Sequence, residues 1–348
     1  MAAQTNNACS GVAVTLAPTN GGANVVPAGT TYTWTVVDNP NVVGETNANT
    51  AQNSIVQTLV NAYTSAQQVV YTVTPTAGTC VGTPFTYTVT VSTPVTVAAL
   101  TGATNVCLGS TTQLASATAG GVWTSSNAAV ATVSSTGVVS GLTAGSTTIS
   151  YTVTNSVGCT GVVTANVNVN ALPVATITPS GATTFCQGGS VTLTASAGSS
   201  YLWSNGLQTQ AITVNTAGNY SVQVFNAAGC VTTSSAVAVV VNALPTATIT
   251  AGGPTTFCQG GSVTLTASAG SSYLWSNGAT TQSITPTTSG CYSVTVTNAN
   301  GCSTTSACTQ VTVNALPVAT ISSLNGNSFC QGGSVTLVST PGSIYAWS

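Results

Sequence analysis

The chain has 348 residues, no Lys, Arg or His, and two acids, Asp38 and Glu45, for a net charge of −2. General acid–base catalysis needs a titratable side chain, and a Ser or Cys nucleophile needs a base to activate it, so the composition reads as a non-enzyme without a cofactor. Asp38 and Glu45 have the residue types of a glycosidase pair, but in DNPNVVGE they read as two solvated loop residues. Phosphate neutralisation requires Lys and Arg, so nucleic acid is excluded as a partner. Calcium requires carboxylates, which are nearly absent, and no charged helix face is available for a lipid surface. Mean hydropathy is +0.40, yet runs such as AVAVVV at 236–241 fall well short of the roughly 18 residues of a spanning helix. They read as buried strands, and no membrane span is expected in this segment.

In chain order, MAAQTNNACSG lacks the basic start and apolar core of a secretory leader. With a sequence that stops at IYAWS in mid-repeat, this reads as an internal piece of a longer protein. NSIVQTLVNAYTSAQQ, 53–68, fits either a short helix or a strand and loop. From there onward the landmarks recur. NALP starts at Asn170, Asn242 and Asn314; CQGGSVTL starts at Cys186, Cys258 and Cys330; Trp-Ser starts at Trp203, Trp275 and Trp347. All three series advance by the same step. That period suits a small all-β domain and is too long for a solenoid turn. Val191, Leu193 and Ala195 alternate in SVTLTAS, as do Tyr220, Val222 and Val224 in YSVQVFN, the pattern of half-buried antiparallel strands. Asn205-Gly206 and Asn277-Gly278 are hairpin-turn signals, and NAAGC and NANGC place a second turn before a Cys.

One Trp falls in each unit: Trp34, Trp123, Trp203, Trp275 and Trp347. A single central Trp anchors the core of immunoglobulin-like sandwiches, which outweighs a sugar-stacking role. Tyr201 and Tyr273, beside the turn, are the best exposed aromatics for a ligand, against a structural reading of the same residues. The expected domains are 1–98, 99–170, 171–242, 243–314 and a partial repeat at 315–348.

VWTSSNAAVATVSSTGVVSGLTAGSTTISYTV, 122–153, resembles the bacterial Ig-like group 2 domain. YLWSNGATTQSITPTTSGCYSVTVTNANGC, 273–302, resembles Ig-like or PKD-like repeats of large Bacteroidota surface proteins. ACSG, TYTWTV, NSIVQTLVN and YTVTPTAGTCVGTPFTYTVTV in the first domain resemble the PKD-like domain found beside them. The resemblance implies an all-β tandem of immunoglobulin-like and PKD-like β-sandwiches forming an extended rod. It also implies a cell-surface or secreted giant protein, of the kind exported by the type IX system, with SprB-type gliding adhesins as one example.

Eleven cysteines, with no His and no CxxC pair, point to disulfides rather than zinc, and hence to an oxidising, extracellular site. Each unit supplies one Cys before its Trp and one after. Easier closure of shorter loops pairs Cys9 with Cys80, Cys107 with Cys159, Cys186 with Cys230, and Cys258 with Cys302. Cys291 and Cys308 form an extra set on strands that face one another, and Cys330 is left over. The alternative joins neighbouring domains, as in Cys186 with Cys302.

The expected function is a stalk and adhesive repeat region of a bacterial surface adhesin, with gliding or attachment as its setting and surface glycans or a substratum as partners. One alternative is a spacer or carbohydrate-binding region of a secreted polysaccharide-degrading enzyme. Another is a self-associating fibre subunit, because the edge strands lack Lys gatekeepers. Thr rows such as TVTVTN read as ordinary β propensity rather than as an ice-binding face.

Overall fold

A computed structural model describes residues 1–348 apart from 22, 23, 325, 343, 347 and 348. Among the described residues every regular element is a β-strand. Residues 53–68 hold the strands Ile55–Thr58 and Val60–Asn61, not a helix. Ile55, Gln57, Leu59 and Asn61 alternate with outward-facing Val56, Thr58 and Val60. A period of two leaves no face for a helix.

The chain divides into two compact units, 1–174 with 225–232, and 175–224 with 233–348. The first unit contains two cores. One is built on a sheet ordered Gln4–Cys9, Phe85–Ser92, Gln67–Ala77, Thr30–Val37, Ala48–Gln52. Leu16, Trp34, Ile55, Leu59, Val69, Tyr71 and Val89 fill it. The other lies between a four-stranded sheet (Asn105–Cys107, Thr160–Asn170, Gly145–Thr154, Val122–Ser125) and a three-stranded one (Thr111–Gln113, Val138–Gly141, Ala131–Val133). Leu114, Val139, Ile149 and Val167 are buried there.

The second unit also contains two cores, which follow one plan, one repeat step apart. Val191, Leu193 and Ala195 meet Tyr220, Val222 and Val224 around Trp203. Val263, Leu265 and Ala267 meet Tyr292, Val294 and Val296 around Trp275. Both predicted alternations thus turn inward. Tyr220 and Tyr292 direct their hydroxyls back to the carbonyls of Thr216 and Thr288, at 3.0 and 3.1 Å. This is the corner bond that ties a sandwich strand to its preceding turn. In residues 315–348 the strands Ile321–Ser323 and Leu337–Ser339 pair antiparallel, with Ile321 and Leu337 exposed.

Each of the four cores shares one feature of topology. An early strand of the core pairs parallel with the strand that leaves it, and a Cys ends that early strand. The last rungs are Cys9 with Ser92, Cys107 with Asn170, Cys186 with Asn242, and Cys258 with Asn314. These cysteines therefore lie at the end of the core where the chain departs.

Candidate functional site: disulfide clasps on Asn-x-x-Gly-Cys turns

The second cysteine of each unit sits at the opposite end. Cys159 immediately precedes Thr160–Asn170, whose far end carries Asn170 and its neighbour Cys107. Eleven strand residues separate the two positions, about 35 Å at 3.4 Å per residue. A disulfide needs Cα atoms within about 7 Å. The expected Cys107–Cys159 bridge is thus geometrically closed, and the same topology separates Cys9 from Cys80, Cys186 from Cys230, and Cys258 from Cys302.

The bridges instead join cysteines of successive stretches of the sequence. Cys9 joins Cys159, Cys107 joins Cys230, and Cys186 joins Cys302, with Cα separations of 5.4, 5.6 and 5.6 Å. Each of the first two lies inside the first unit, because the Cys230 turn belongs to it, and the third lies inside the second unit. Easier closure of short loops loses here to the distance between the two ends of a sandwich. Cys291 and Cys308 are bridged across the adjacent strands Gly290–Tyr292 and Thr309–Asn314. Cys80 and Cys258, expected in bridges, are free and exposed, as is Cys330. Cys258 nonetheless occupies the same rung as Cys107 and Cys186. Cys80 follows the hairpin turn of Gln67–Ala77, as Cys159 follows that of Gly145–Thr154.

The receiving cysteine is presented by a five-residue turn. In NSVGC, NAAGC and NANGC the Asn side-chain oxygen accepts from the backbone N–H of the Cys, at 2.9, 3.0 and 3.0 Å. It also accepts from the N–H two residues on. Asn is favoured because its short side chain closes such a turn on its own backbone. Gly158, Gly229 and Gly301 have φ of 89, 80 and 79°, a region from which a Cβ is excluded at a cost of roughly 1–2 kcal/mol. In two turns the same Asn reaches outward as well. Asn226 Nδ2 donates to Ala171 O at 2.8 Å, and Asn298 Nδ2 donates to Ala243 O at 2.9 Å. Those carbonyls belong to the NALP connectors. At the first junction Gly161 provides the fit, since a Cβ there would lie 2.2 Å from Val95 O. At the Ala171 and Ala243 connectors, one sulfur bridge and one side-chain bond thus accompany each other.

The aromatic residues singled out in the sequence are packed as follows. Trp34, Trp203 and Trp275 are buried, and each indole N–H donates to a carbonyl 2.8 Å away, on Thr46, Thr209 and Thr281. Trp123 is half-buried and packs against Tyr151 with ring centroids 4.5 Å apart. Trp347 lies outside the described residues. Tyr201 and Tyr273 are half-buried against their cores, and their hydroxyls are held by the backbone of Gly198 and Gly270.

Glu45 accepts from the N–H of Asn39 at 2.6 Å, so it serves its own loop. Burial raises its pKa, the Asn39 bond opposes this, and Asp38 adds to the rise. Among the described residues no cluster of three His, Cys, Asp or Glu could hold a metal. Among the same residues no helix is long and apolar enough to cross a membrane.

Residues 6–94 match the PKD-like domain family, and residues 85–165 match the bacterial Ig-like domain (group 2) family. The resemblances drawn for the first domain and for 122–153 thus coincide with matched families. No curated protein matches the chain. Among solved structures, the chain is similar to the N-terminal eight Ig domains of Down Syndrome Cell Adhesion Molecule isoform 1.30.30, with 13% identity and a TM-score of 0.24. That match covers 98% of this chain and 51% of the other, so the chain spans about half of that relative's length. It is also similar to a Ca2+-stabilized adhesin with which an Antarctic bacterium binds ice, with 19% identity, a TM-score of 0.27, and coverage of 89% and 96%. Extracellular domains 3–5 of Drosophila OTK match with 14% identity and a TM-score of 0.25, over 70% of this chain and 95% of theirs.

Proposed function

We propose that the chain is a non-enzymatic stalk and adhesive repeat region of a bacterial cell-surface protein of the SprB gliding-adhesin type, working outside the cell. The observation that carries this reading is the set of clasps, each of which joins cysteines far apart in sequence within one compact unit. Such bonding serves position and reach. PKD-like and Ig-like sandwiches agree with a structural or adhesive role, and three bridges of this kind require an oxidising exterior. The working division is 1–98, 99–170, 171–242, 243–314, and a further repeat beginning at 315. Its partners are surface glycans or a substratum, engaged by the repeats or by a region they hold away from the cell.

Immunogold labelling of source cells with an antibody against residues 171–314, beside a blot of the culture medium, tests the reading. Label on surface filaments supports the stalk. Label confined to the medium and co-purifying with a polysaccharide hydrolase overturns it in favour of an enzyme spacer.

A further inference from the structure

The bridges connect positions far apart in sequence, at separations of 150, 123 and 116 residues. Their order matters once the chain is pulled by its ends. From Met1, the shortest covalent route reaches Cys9, crosses to Cys159, follows the backbone to Cys186, crosses to Cys302 and runs to Ser348. That route contains nine residues before the first bridge, 27 between the bridges and 46 after the second, 82 of 348 in all. We propose that the oxidised chain is a length-limited tether, in which tension follows this route and bypasses residues 10–158 and 187–301.

Those bypassed loops contain nearly all of the four cores. The whole first core lies inside them except Ala8, as do Trp203 with all of its buried partners and Trp275 with every buried partner but Val311. Within the second sandwich the load is carried along one strand, Thr160–Asn170, from Cys159 at one end to the connector at the other. Ten antiparallel rungs to Gly145–Thr154 clamp that strand along its length. Even if every sheet gave way, the oxidised chain would extend to about 280 Å, against about 1,200 Å for the reduced chain, at roughly 3.4 Å per residue. A sandwich that opened under load would thus be kept close to its sequence partners and could refold when the pull ceased.

The third bridge has a different place. Cys107–Cys230 runs in parallel with the backbone from Cys159 to Cys186. The way through it goes back along the chain from Cys159 to Cys107, crosses, and goes back again from Cys230 to Cys186, a detour far longer than the direct path. It stays slack under full extension and takes load only when a neighbouring bridge is broken. The three bridges overlap in sequence, so loss of either outer bridge brings Cys107–Cys230 into the load path, although residues 10–106 are bypassed by no bridge once Cys9–Cys159 is lost.

Single-molecule stretching of the full chain, held at Met1 and Ser348, tests the proposal, because contour length at full extension reads covalent connectivity directly, and the wild-type value decides it before any variant is made. The expected contour is about 82 residues for the oxidised chain and 348 after reduction, each residue adding roughly 3.4 Å. Cys107→Ser with Cys230→Ser should leave the oxidised contour unchanged. Cys186→Ser with Cys302→Ser should lengthen it to about 162, the route then running through Cys107–Cys230 and Cys291–Cys308. Cys9→Ser with Cys159→Ser should give about 197. A wild-type contour of about 137 residues at roughly 3.4 Å each, the value for bridges closed within each repeat, overturns the proposal. So does lengthening on loss of the Cys107–Cys230 bridge. The inference deepens the stalk reading and rests on it for the source of the pull. Contour length speaks only to the bridges and surface labelling only to the stalk, so each can fail alone.

Discussion

Tyr71 is fully buried in the first core, and its hydroxyl has no hydrogen-bond partner. Leaving such a group unpaired costs about 1–3 kcal/mol. Tyr71→Phe keeps the ring and removes the orphan, so it should raise thermal stability by about 1 kcal/mol in calorimetry. Burial, with Glu45 adding, also pushes the Tyr71 pKa up. A raised folded value means that stability is complete below the ordinary tyrosine value of about 10 and is lost as pH climbs through the folded one. The Phe variant should lack this alkaline loss. The same sign holds for Glu45, whose pKa burial raises. Its contribution is complete below about pH 4 and is lost as pH rises through the folded value. Melting of wild type and Glu45→Gln across pH 3 to 8, a range set by roughly the carboxylate and neutral regions, should show the decline in wild type alone. Of these roles, the sequence revealed that Trp34, Trp203 and Trp275 belong to cores, because one Trp per repeat on an alternating strand has few other uses. It could not reveal that Tyr71 would be orphaned, since that depends on what the opposite sheet brings to its hydroxyl.

At the scale of the element, the turns and the connectors depend on each other. Gly161→Ala puts a Cβ against Val95 O and should destabilise the first unit by about 1–3 kcal/mol, the range for overpacking. Asn298→Ala removes two turn bonds and the bond to Ala243 O. Asn298→Asp keeps the acceptor but sets an anion against that carbonyl. If the connector bond matters beyond the turn, Asp should lose stability comparable with Ala; if the turn alone matters, Asp should resemble wild type. Denaturant unfolding of the two variants decides it. Strand alternation in SVTLTAS and YSVQVFN was legible because one face of each strand is buried. The 53–68 stretch was ambiguous because Ile, Val and Leu spaced at two and at three to four residues overlap in a short run; burial of Gln57 and Asn61 resolves it in favour of a strand.

For the whole molecule, thiol chemistry gives the most direct count. Three cysteines, Cys80, Cys258 and Cys330, are free and exposed, so three of eleven thiols should react with a thiol-disulfide reagent in native buffer. All eleven should react after reduction and denaturation. A native count of one, left by bridges closed within each repeat, would contradict the clasps. The outer strand Val122–Ser125 ends its sheet with Val122 65% exposed and no charged side chain near it in sequence. Unprotected edges invite strand addition. Any association through them should grow with protein concentration in sedimentation runs and change little with salt, because residues 46–348 carry no charge to screen.

The sequence by itself determined the all-β class, the fixed-step repeat, the buried tryptophans and the dearth of titratable chemistry. Each is a property of composition or of local period, which a strand carries wherever it is placed. Tertiary structure alone decided which cysteines meet. That choice depends on the parallel pairing of an early strand with the leaving strand, which puts one Cys at each end of a sandwich. The long strand Thr160–Asn170 then holds the two too far apart to bond. Sequence separation ranks pairs by the entropy of closing a loop, but it contains no record of which end of a sheet a residue occupies.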